Sequence, residues 1–488
     1  MAGDALSPEA LAALKAGYAG HSGAKSRRLY LALYDLLAPA QLAADTQLPA
    51  SRVLAPVLGV GRNTVTATYQ QLVDEGLLYT AQRGGTRVRA QIGAAPVTAM
   101  CLGPETVRGG RLSQRAVADA VRERPLALCP GEPDSTLFPR QAWSRALARA
   151  GRSADAKFGY RYDAGEPTLR EAIARYLVRW RSLSVDPACV LITASTRQSL
   201  AIAAGLYADP GDTAWVESPG YSGASQAWRL LGLQLKPLAV DGEGLVCPVD
   251  LAGAKLLYAT PCFQYPAGHG LAPARRSVLL ARAARAGTVV FEDDYDSEFR
   301  DDSQPRPALA SAAASQGATV VHAGTFSKLM FPAVRLGWMV LPAAHVPAAM
   351  GVMRSLGGGH NAVQQRAVAT LLDNGTVARH LVRARAEYGR RRRALIDTLA
   401  NSPLRVRDGS GGLSLVIDLP KPRDSVRLVR ALHGCGLGAQ PLEALNLDAS
   451  GAPPCRALVV GTGNLDVAET VLAAGRLIDA WRSVGPPV

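Results

Sequence analysis

The side chains best suited to chemistry follow predicted strands, and the first of them is a lysine. Lys328 lies in the hexapeptide Gly324-Thr325-Phe326-Ser327-Lys328-Leu329, directly after a strand-like run at 319–322, and it is the only lysine between positions 255 and 421. A lysine in a loop of small residues at a strand end can form a Schiff base with an aldehyde cofactor, and neighbouring hydroxyls can hold a phosphate. The hexapeptide therefore predicts a covalent cofactor site.

An acidic run at the end of another predicted strand supports the same chemistry. Asp293 and Tyr295 are a carboxylate and a phenol two residues apart. An ionised Asp keeps a pyridine nitrogen protonated, which makes the ring an electron sink, and the Tyr can hydrogen-bond the ring's phenolic oxygen. The neighbouring acids at 294, 296 and 298 leave a Mg²⁺ site or a solvated loop as alternatives for this run. Arg335, seven residues after Lys328, is placed to pair with a phosphate dianion.

The elements that must position these residues form an alternating pattern from about residue 126 onward. Helical patterns alternate with apolar strand-like runs, which lie at 190–193, 213–216, 255–260, 288–291, 319–322 and 337–341. This alternation predicts an α/β domain with a largely parallel sheet. A long basic helix is predicted around 364–399, followed by shorter mixed elements typical of a smaller α+β lobe.

The first part of the chain has a different texture. An amphipathic helix at 26–37 precedes a second at 52–58, a glycine turn, and a third from Arg62 to about residue 75 that ends at Gly76. The third helix turns its apolar side inward and presents polar residues near its N-terminus, the part that enters a major groove. The residues on or near this polar surface are Arg62, Asn63, Thr64, Thr66 and Thr68.

A hairpin follows this helix and completes a winged helix-turn-helix. Runs at 77–82 and 86–89 flank the turn Arg83-Gly84-Gly85, which predicts a basic wing. Arg52, Arg83 and Arg87 are expected to contact the DNA backbone, whereas the third helix reads bases. A small winged domain used only for protein contacts is the alternative.

Composition limits the classes of protein that fit. The chain has 488 residues, 48% hydrophobic and 19% charged, with a formal net charge of +14. Such an excess favours a polyanionic partner, although only 7 of the 54 basic residues are lysines, and that bias also fits genome base composition. We found no membrane span, no signal peptide and no CxxC pair among the 7 cysteines. We therefore expect a cytoplasmic protein with reduced thiols and no metal.

The N-terminal segment resembles the winged helix-turn-helix of GntR-type bacterial regulators. The resemblance rests on Leu48-Pro49-x-Ser51-Arg52, Leu58-Gly59-Val60 and Arg62-Asn63-Thr64-Val65-x-x-x-Tyr69-x-x-Leu72-x-x-Glu75-Gly76. The rest of the chain resembles fold-type I aminotransferases, through Phe158-Gly159-Tyr160, Val216-Glu217-x-Pro219-Gly220-Tyr221, Thr260-Pro261-x-x-Gln264-Tyr265-Pro266, the run 292–299 and the run 324–337. Together these segments resemble the MocR/GabR-type regulators.

That resemblance implies pyridoxal 5'-phosphate as cofactor, with Lys328 as the internal aldimine. Asp293 would bind the pyridine nitrogen, Tyr295 the ring oxygen, and Tyr221 would stack on the ring. The phosphate would be bound by Ser195, Thr196, Arg197, Thr325, Ser327, Arg335 and, from the partner subunit, Tyr160. Arg456 would grip the α-carboxylate of an amino-acid effector.

Two departures from the family pattern affect these expectations. The stretch Ala194-Ser195-Thr196-Arg197-Gln198 differs from the usual Ser-Gly-Ala-Gln-Gln, so the phosphate contacts differ in detail. Gly223 stands where the GABA-responsive member of the family carries an arginine. A γ-carboxylate would lack that partner, so GABA is not the expected effector.

The expected architecture is an N-terminal winged helix-turn-helix, mostly α with a β wing, over residues 1–90. A linker at 91–125 and an α/β fold-type I aminotransferase-like domain at 126–488 follow, with a large lobe at about 150–344 and a smaller α+β lobe at about 345–488. By resemblance we expect a homodimer with head-to-tail exchange of the DNA-binding domains. The basic helix bearing arginines 383, 385 and 390–393 is either a solvated face or a second DNA contact.

Three functions remain in competition at this stage. The first is a ligand-responsive transcription regulator of amino-acid, amine or vitamin B6 metabolism that binds operator DNA and senses its effector at Lys328. The second is an active aminotransferase with an accessory N-terminal domain. The third is a structural DNA binder with a relic domain. The intact set of Lys328, Asp293, Tyr221 and Arg335 speaks against the relic, and the well-formed recognition helix favours the regulator over the enzyme.

Overall fold

A computed structural model of the protein describes residues 6–37, 42–81, 85–89, 126–152, 163–300, 306–358, 361–407, 409, 412–447 and 453–486. The chain separates into two compact units, Met1–Ala118 and Asp119–Val488. The described part of the first unit has its own apolar core, and the second unit has several. No helix in the described ranges is long and apolar enough to cross a bilayer.

The first unit is a helical domain with a two-stranded hairpin. Its described elements are α1 (Pro8–Gly20), α2 (Lys25–Leu37), α3 (Ser51–Leu58), α4 (Arg62–Asp74), β1 (Leu78–Ala81) and β2 (Gly85–Val88). The apolar faces predicted for these helices form one core, in which Leu29, Leu33, Val65 and Leu72 are buried. Gly76 follows α4 with a φ of +77°, the left-handed conformation in which glycine ends a helix without a Cβ clash.

Helix α1 precedes the segment with recognisable motifs and was not predicted. Leu14 and Tyr18 join the core of the unit, and a Cβ added at Gly17 would lie 3.4 Å from Ala32 of α2. Arg28 stacks over the Tyr18 ring at 4.3 Å and donates to the Tyr18 carbonyl at 2.7 Å. Helix α1 is therefore an integral part of this domain.

The second unit is built on a sheet of eight strands in the order β3-β10-β9-β8-β7-β4-β5-β6. The strands are β3 (Val190–Thr193), β4 (Thr213–Ser218), β5 (Gln234–Asp241), β6 (Gly244–Leu245), β7 (Ala254–Ala259), β8 (Val289–Asp294), β9 (Val320–Thr325) and β10 (Gly337–Val340). Neighbours from β9 to β5 are parallel, whereas β10 and β6 are antiparallel to theirs. The six predicted strands are confirmed, and β5 and β6 were missed.

Helices cover this sheet and bury its two faces. They are α5 (Arg140–Arg152), α6 (Pro167–Arg181), α7 (Thr196–Tyr207), α8 (Ser222–Leu230), α9 (Pro273–Ala286), the single turn α10 (Phe326–Leu329) and α11 (Val346–Ser355). Because β7, β8 and β9 are parallel, their carboxyl ends meet at one edge of the sheet. Ligands bind at this edge in open α/β folds, and it is here that Asp293 and Thr325 lie.

A second, antiparallel sheet of four strands forms the small lobe. Its strands are β11 (Arg405–Val406), β12 (Ser414–Arg423), β13 (Gln440–Pro441) and β14 (Cys455–Gly461), in the order β11-β12-β14-β13. The helices of this half of the chain are α12 (Ala362–Asp373), α13 (Thr376–Ala400), α14 (Ser425–Gly434) and α15 (Val467–Ser483).

The prediction of one continuous helix over 364–399 is wrong. Helix α12 ends at Asp373 and α13 begins at Thr376, because Gly375 between them has a φ of +73°, which a right-handed helix cannot contain. The surface predicted from the basic residues of this segment is also smaller than expected. Arg391 and Arg392 are buried, and Arg385 donates to the Glu298 carbonyl at 2.8 Å.

The segment 126–132 connects the small lobe with the edge of the large sheet at which the carboxyl ends of its parallel strands lie. Ala127 donates to the Gly436 carbonyl at 3.0 Å and accepts from Gly438 at 2.7 Å. The Leu128 carbonyl accepts from the amide of Gly461, the last residue of β14, at 2.9 Å. This segment therefore behaves structurally as part of the small lobe, although it precedes the large one in sequence.

Candidate cofactor site and DNA-reading surface

In the first unit, the N-terminal part of α4 is largely exposed. Arg62, Asn63 and Thr66 are exposed and Thr64 is half-buried, whereas Thr68, which we expected on or near this surface, is buried and donates to the Thr64 carbonyl at 2.9 Å. Arg52, at the start of α3, is also exposed. The polar surface predicted for DNA reading is thus present on the outside of the domain.

Arg87 of the hairpin contacts the body of the domain, and its contact with the DNA backbone remains a prediction. Arg87 is half-buried and donates to the Asp45 carbonyl at 2.7 Å and to Gln47 Oε1 at 3.3 Å. It therefore ties the hairpin to the body of the domain, and its predicted backbone contact would require these bonds to be shared or exchanged. Gly85 begins β2 with a φ of +71°, whereas Arg83 and Gly84 lie outside the described residues.

In the second unit, a cavity of about 310 Å³ opens at the carboxyl edge of the large sheet. It brings together ten of the predicted cofactor residues from separate parts of the chain. They are Ser195, Thr196, Arg197, Tyr221, Asp293, Tyr295, Thr325, Ser327, Lys328 and Arg335. Their assembly in one cavity of this size gives room for a small aromatic phosphate.

Lys328 lies in α10, immediately after β9, and is half-buried in the cavity wall. Its Nζ donates to the carbonyl of Gly131, which also lines the cavity. Burial lowers the pKa of Lys328 from its usual value. A lowered pKa increases the fraction of neutral amine, which is the form that attacks an aldehyde.

Asp293 and Tyr295 present unpartnered polar atoms in this buried region. Asp293 Oδ2 accepts from Tyr258 at 2.8 Å, whereas Asp293 Oδ1 and the Tyr295 hydroxyl are buried and have no hydrogen-bond partner among the described residues. Burial raises the pKa of Asp293 to about 7. Buried polar groups are nearly always paired, so both atoms are suited to a ligand that brings one donor and one acceptor.

Hydroxyls and arginines gather around the start of α7 and the loop after β9. Ser195 caps α7, and its Oγ accepts from the Gln198 amide at 3.3 Å, so the helix N-terminus faces the cavity with Thr196 and Arg197. Thr325, Ser327 and Arg335 line the same cavity. Helix N-terminal amides and guanidinium groups favour a phosphate dianion, so this end of the cavity is suited to an anion.

Tyr221 immediately precedes α8 and is half-buried in the cavity wall, 6.4 Å from Tyr265 between ring centroids. A Cβ at Gly223 would overlap the Tyr221 ring. The glycine therefore makes room for the tyrosine. An arginine at position 223 would force the Tyr221 ring to move. Position 223 therefore lacks a positive charge and also lacks room for an arginine side chain while the Tyr221 ring keeps its place.

Five further cavity residues were not predicted. They are Pro130, Gly131, Tyr258, Tyr265 and Pro332. Tyr265 lies in a motif that was recognised as a resemblance, and Tyr258 could have been found because it is the polar residue near the end of the buried run that forms β7. Gly131, with a φ of +71°, carried no chemical signal, because it contributes a backbone carbonyl.

The other acids of this run are buried, which excludes the solvated-loop alternative, and Asp294 and Glu298 belong to an ion-pair network. Arg181 pairs with both Asp294 and Glu298, and Tyr176 donates to Glu298. Although burial alone would raise the pKa of Asp294, Arg181 lowers it below its usual value. In the described ranges, no group of three or more His, Cys, Asp or Glu side chains could hold a metal ion.

Two predicted site residues are not placed at the cavity. Arg456 is exposed on β14 and is not among the lining residues, and its backbone amide donates to Glu443 Oε1 at 2.9 Å. Its carboxylate-binding role remains a prediction. Tyr160 lies outside the residues that the structure describes.

The described residues fit pyridoxal phosphate. The two orphaned atoms match the ring: Asp293 Oδ1 can accept from a pyridinium N–H, and the Tyr295 hydroxyl can donate to the phenolic oxygen. Lys328 provides the amine, and the hydroxyl and arginine cluster provides for the phosphate.

Family models match both units of the chain. "Aminotransferase class I and II" matches residues 124–437, and "Bacterial regulatory proteins, gntR family" matches residues 25–88. Among solved structures, a kynurenine aminotransferase from Pyrococcus horikoshii has a TM-score of 0.68 at 24% identity, covering 76% of this chain and 94% of that one. LysN, an α-aminoadipate aminotransferase from Thermus thermophilus, has a TM-score of 0.66 at 25% identity, covering 76% and 94%.

Several curated relatives match over almost the whole chain. The probable rhizopine catabolism regulatory protein MocR of Rhizobium meliloti is 32% identical, covering 90% of each chain. The pyridoxine biosynthesis transcriptional regulator PdxR of Corynebacterium glutamicum is 31% identical, covering 83% of this chain and 85% of its own. The transcriptional regulator TauR of Rhodobacter capsulatus is 33% identical, covering 86% and 90%. All three are described as regulators, although the fold of the larger unit is shared with aminotransferases.

Proposed function

This chain belongs to the MocR-type regulators, which join a GntR helix-turn-helix domain to an aminotransferase class I and II domain, and we propose that its operator binding is controlled by an amino-group ligand at Lys328. It is accordingly a pyridoxal phosphate-dependent transcription regulator. The observation that carries the proposal is the pair of orphaned atoms on Asp293 and Tyr295 beside Lys328, in a chain that also presents the exposed N-terminus of α4.

The residues of the cavity divide the work of holding the cofactor. Lys328 would hold the aldehyde carbon, Asp293 and Tyr295 would bind the two polar atoms of the ring, and the cluster from Ser195 to Arg335 would bind the phosphate. When bound, pyridoxal phosphate supplies an aldehyde that exchanges between amines and a ring that withdraws electrons. Tyr221 would stack on the ring.

An amine effector would bind in the same cavity, beside Lys328. Its carboxylate would go to Arg456, which does not line the cavity as described, so the proposal includes a closure of the small lobe that brings Arg456 to it. Closure biases DNA binding only if it favours one arrangement of the DNA-binding domains over another. Gly223 offers no cation to a γ-carboxylate, so the effector is not expected to be GABA.

The proposal also includes the domain boundaries, the oligomeric state and the class of regulated genes. The DNA-binding domain extends over 1–90, the linker over 91–125 and the aminotransferase-like domain over 126–488. The protein acts as a homodimer with exchanged DNA-binding domains, and Tyr160 reaches the phosphate of the partner subunit's site. The regulated genes belong to amino-acid, amine or vitamin B6 metabolism, and pyridoxal phosphate itself is a second candidate effector.

The test is footprinting on the DNA upstream of the protein's own gene, with and without pyridoxal phosphate and a panel of amino acids and amines. Wild-type protein should protect a defined site, and one of these additions should change the protection. Lys328→Ala should retain a footprint and lose the response, whereas Lys421→Ala, which changes an exposed lysine of β12, should behave as wild type. Failure to protect any site, with rapid turnover of an amino acid, would instead establish the aminotransferase alternative.

A further inference from the structure

A second concavity, of about 480 Å³, lies on the surface of the aminotransferase-like unit between α5 and the junction of α12 with α13. One wall carries Arg145, Arg149 and Arg152, and the other carries Thr370, Asn374 and Thr376. Among the residues that the structure describes, no acidic side chain lines this concavity. We call this feature the arginine groove.

The three arginines share one face of α5. Their spacing of four and three residues places them in a row, and at 1.5 Å per residue the row is about 10 Å long. All three are exposed, and none has an ion-pair partner within the described part of the chain. Nearby arginines differ in this respect: Arg175 pairs with Asp373, which keeps that carboxylate out of the groove.

The opposite wall adds polar groups without negative charge. Asn374 Oδ1 accepts from the Thr376 amide at 3.0 Å, which leaves the side-chain amide donors of the exposed Asn374 available. Thr376 Oγ1 accepts from Arg379 at 3.2 Å, which brings a fourth guanidinium to this end of the groove. The charged and polar side chains that line the groove are therefore arginines on one wall and neutral groups on the other, with alanines and Leu371 between them.

We propose that the arginine groove binds the sugar-phosphate backbone of duplex DNA, so that the aminotransferase-like unit contributes directly to DNA affinity. A small anion would require converging donors, whereas these arginines form an open row. A row of about 10 Å can contact about two to three phosphates of one strand, which lie farther apart along the strand than the 3.4 Å rise along the helix axis. The proposal rests on the proposed function, since it supposes that this chain binds DNA. Backbone contacts of this kind add affinity without sequence preference.

The experiment measures the salt dependence of DNA binding by the full-length, cofactor-loaded protein. Two duplexes of equal length are used, one from upstream of the protein's own gene and one of scrambled sequence. The test variant is Arg145→Gln, Arg149→Gln and Arg152→Gln combined. The control variant is Arg285→Gln, Arg427→Gln and Arg430→Gln combined, which removes the same charge from exposed arginines on α9 and α14.

The test variant should lower the slope of log affinity against log salt by about 2 to 3 and weaken binding about tenfold or more. The loss should be equal on the two duplexes, and the control should change the slope by less than about 1. Equal changes in the two variants, or none in the test variant, would overturn the proposal. A changed oligomeric mass of the test variant in sedimentation would also overturn it, by identifying the groove as an interface between copies.

Failure of the proposed function would look different. In that case the wild-type protein would show no preference for the upstream duplex, and Arg62→Gln would leave binding unchanged. If only the arginine groove proposal fails, the preference and its loss in Arg62→Gln remain, while the salt slope of the test variant equals that of the control.

Discussion

Replacing Asp293 with Asn should stabilise the cofactor-free protein and, at the same time, weaken its affinity for pyridoxal phosphate. The carboxylate is buried, has one partner in Tyr258, and leaves Oδ1 unpaired. Burial raises its pKa to about 7 from an ordinary value of 3.8. The folded protein therefore retains a proton that the unfolded chain releases, and stability falls as pH rises from about 4 through about 7.

The size of both effects follows from these values. Ionising Asp293 in the cofactor-free protein at pH 8 costs up to about 4 kcal/mol, at 1.36 kcal/mol for each pKa unit. Asn at position 293 keeps an acceptor oxygen for the Tyr258 hydroxyl. Its buried NH₂ group, however, lacks a hydrogen-bond partner, which lowers the free energy of unfolding by about 1 to 2 kcal/mol. We expect a net gain of about 2 kcal/mol at pH 8 and none below pH 4. Losing the charge-assisted bond to the pyridinium, about 1.5 to 3 kcal/mol, should weaken cofactor binding roughly 10- to 150-fold.

Urea unfolding followed by tryptophan fluorescence measures the stability directly. All six tryptophans lie after residue 125, so the signal reports the aminotransferase-like part alone. Absorbance titration measures cofactor affinity. Asp397→Asn, which changes an exposed carboxylate on α13, is the matched control and should alter neither quantity. A variant that is no more stable than wild type at pH 8, or that binds the cofactor equally well, would refute this account of Asp293.

Three shorter predictions test other parts of the structure. Gly223→Ala should weaken cofactor binding about tenfold, because its Cβ would displace the Tyr221 ring. The control is Gly475→Ala, which has open space around its Cβ. Equal titration curves for the two variants would contradict the role given to Gly223. Gly324→Ala should destabilise the large lobe by about 2 kcal/mol or more in urea, because its Cβ would overlap the Trp338 ring, and an unchanged midpoint would count against this packing. Arg62→Gln should reduce binding to the operator more than to random duplex in a gel-shift titration, whereas an equal loss would make Arg62 a phosphate contact.

The parts of the fold that the sequence predicted are those with a strong local pattern. The six core strands are apolar runs buried on both faces, and β3 was predicted at its observed bounds. Strand β5 was missed because most of its residues are exposed and it contains Lys236 and Pro237, so it lacks the apolar signal of a central strand. The break between α12 and α13 was missed because one glycine within a helical pattern is often tolerated, and only its left-handed φ ends the helix.

The residues of the site were likewise predicted where the sequence carries a local signal and missed where it does not. Lys328, Asp293 and Tyr295 were predicted because their chemistry is carried by side chains in recognisable motifs, and the structure places them in one cavity. Gly131 was missed because a backbone carbonyl has no sequence signature. The arginine groove was missed because its walls come from segments more than 200 residues apart, and composition alone pointed to the basic helix α13, two of whose arginines are buried.

The Lys328 amine donates a hydrogen bond to the Gly131 carbonyl and is also the group expected to bind the aldehyde of the cofactor. If Lys328 held an aldehyde cofactor, its nitrogen would have fewer N–H groups to donate, and this hydrogen bond would be weakened or lost. The Gly131 carbonyl belongs to the segment 126–132, which is hydrogen-bonded to the small lobe through Ala127, Leu128 and the end of β14. Engaging Lys328 would therefore remove one hydrogen bond to the segment that connects the cavity wall with the small lobe.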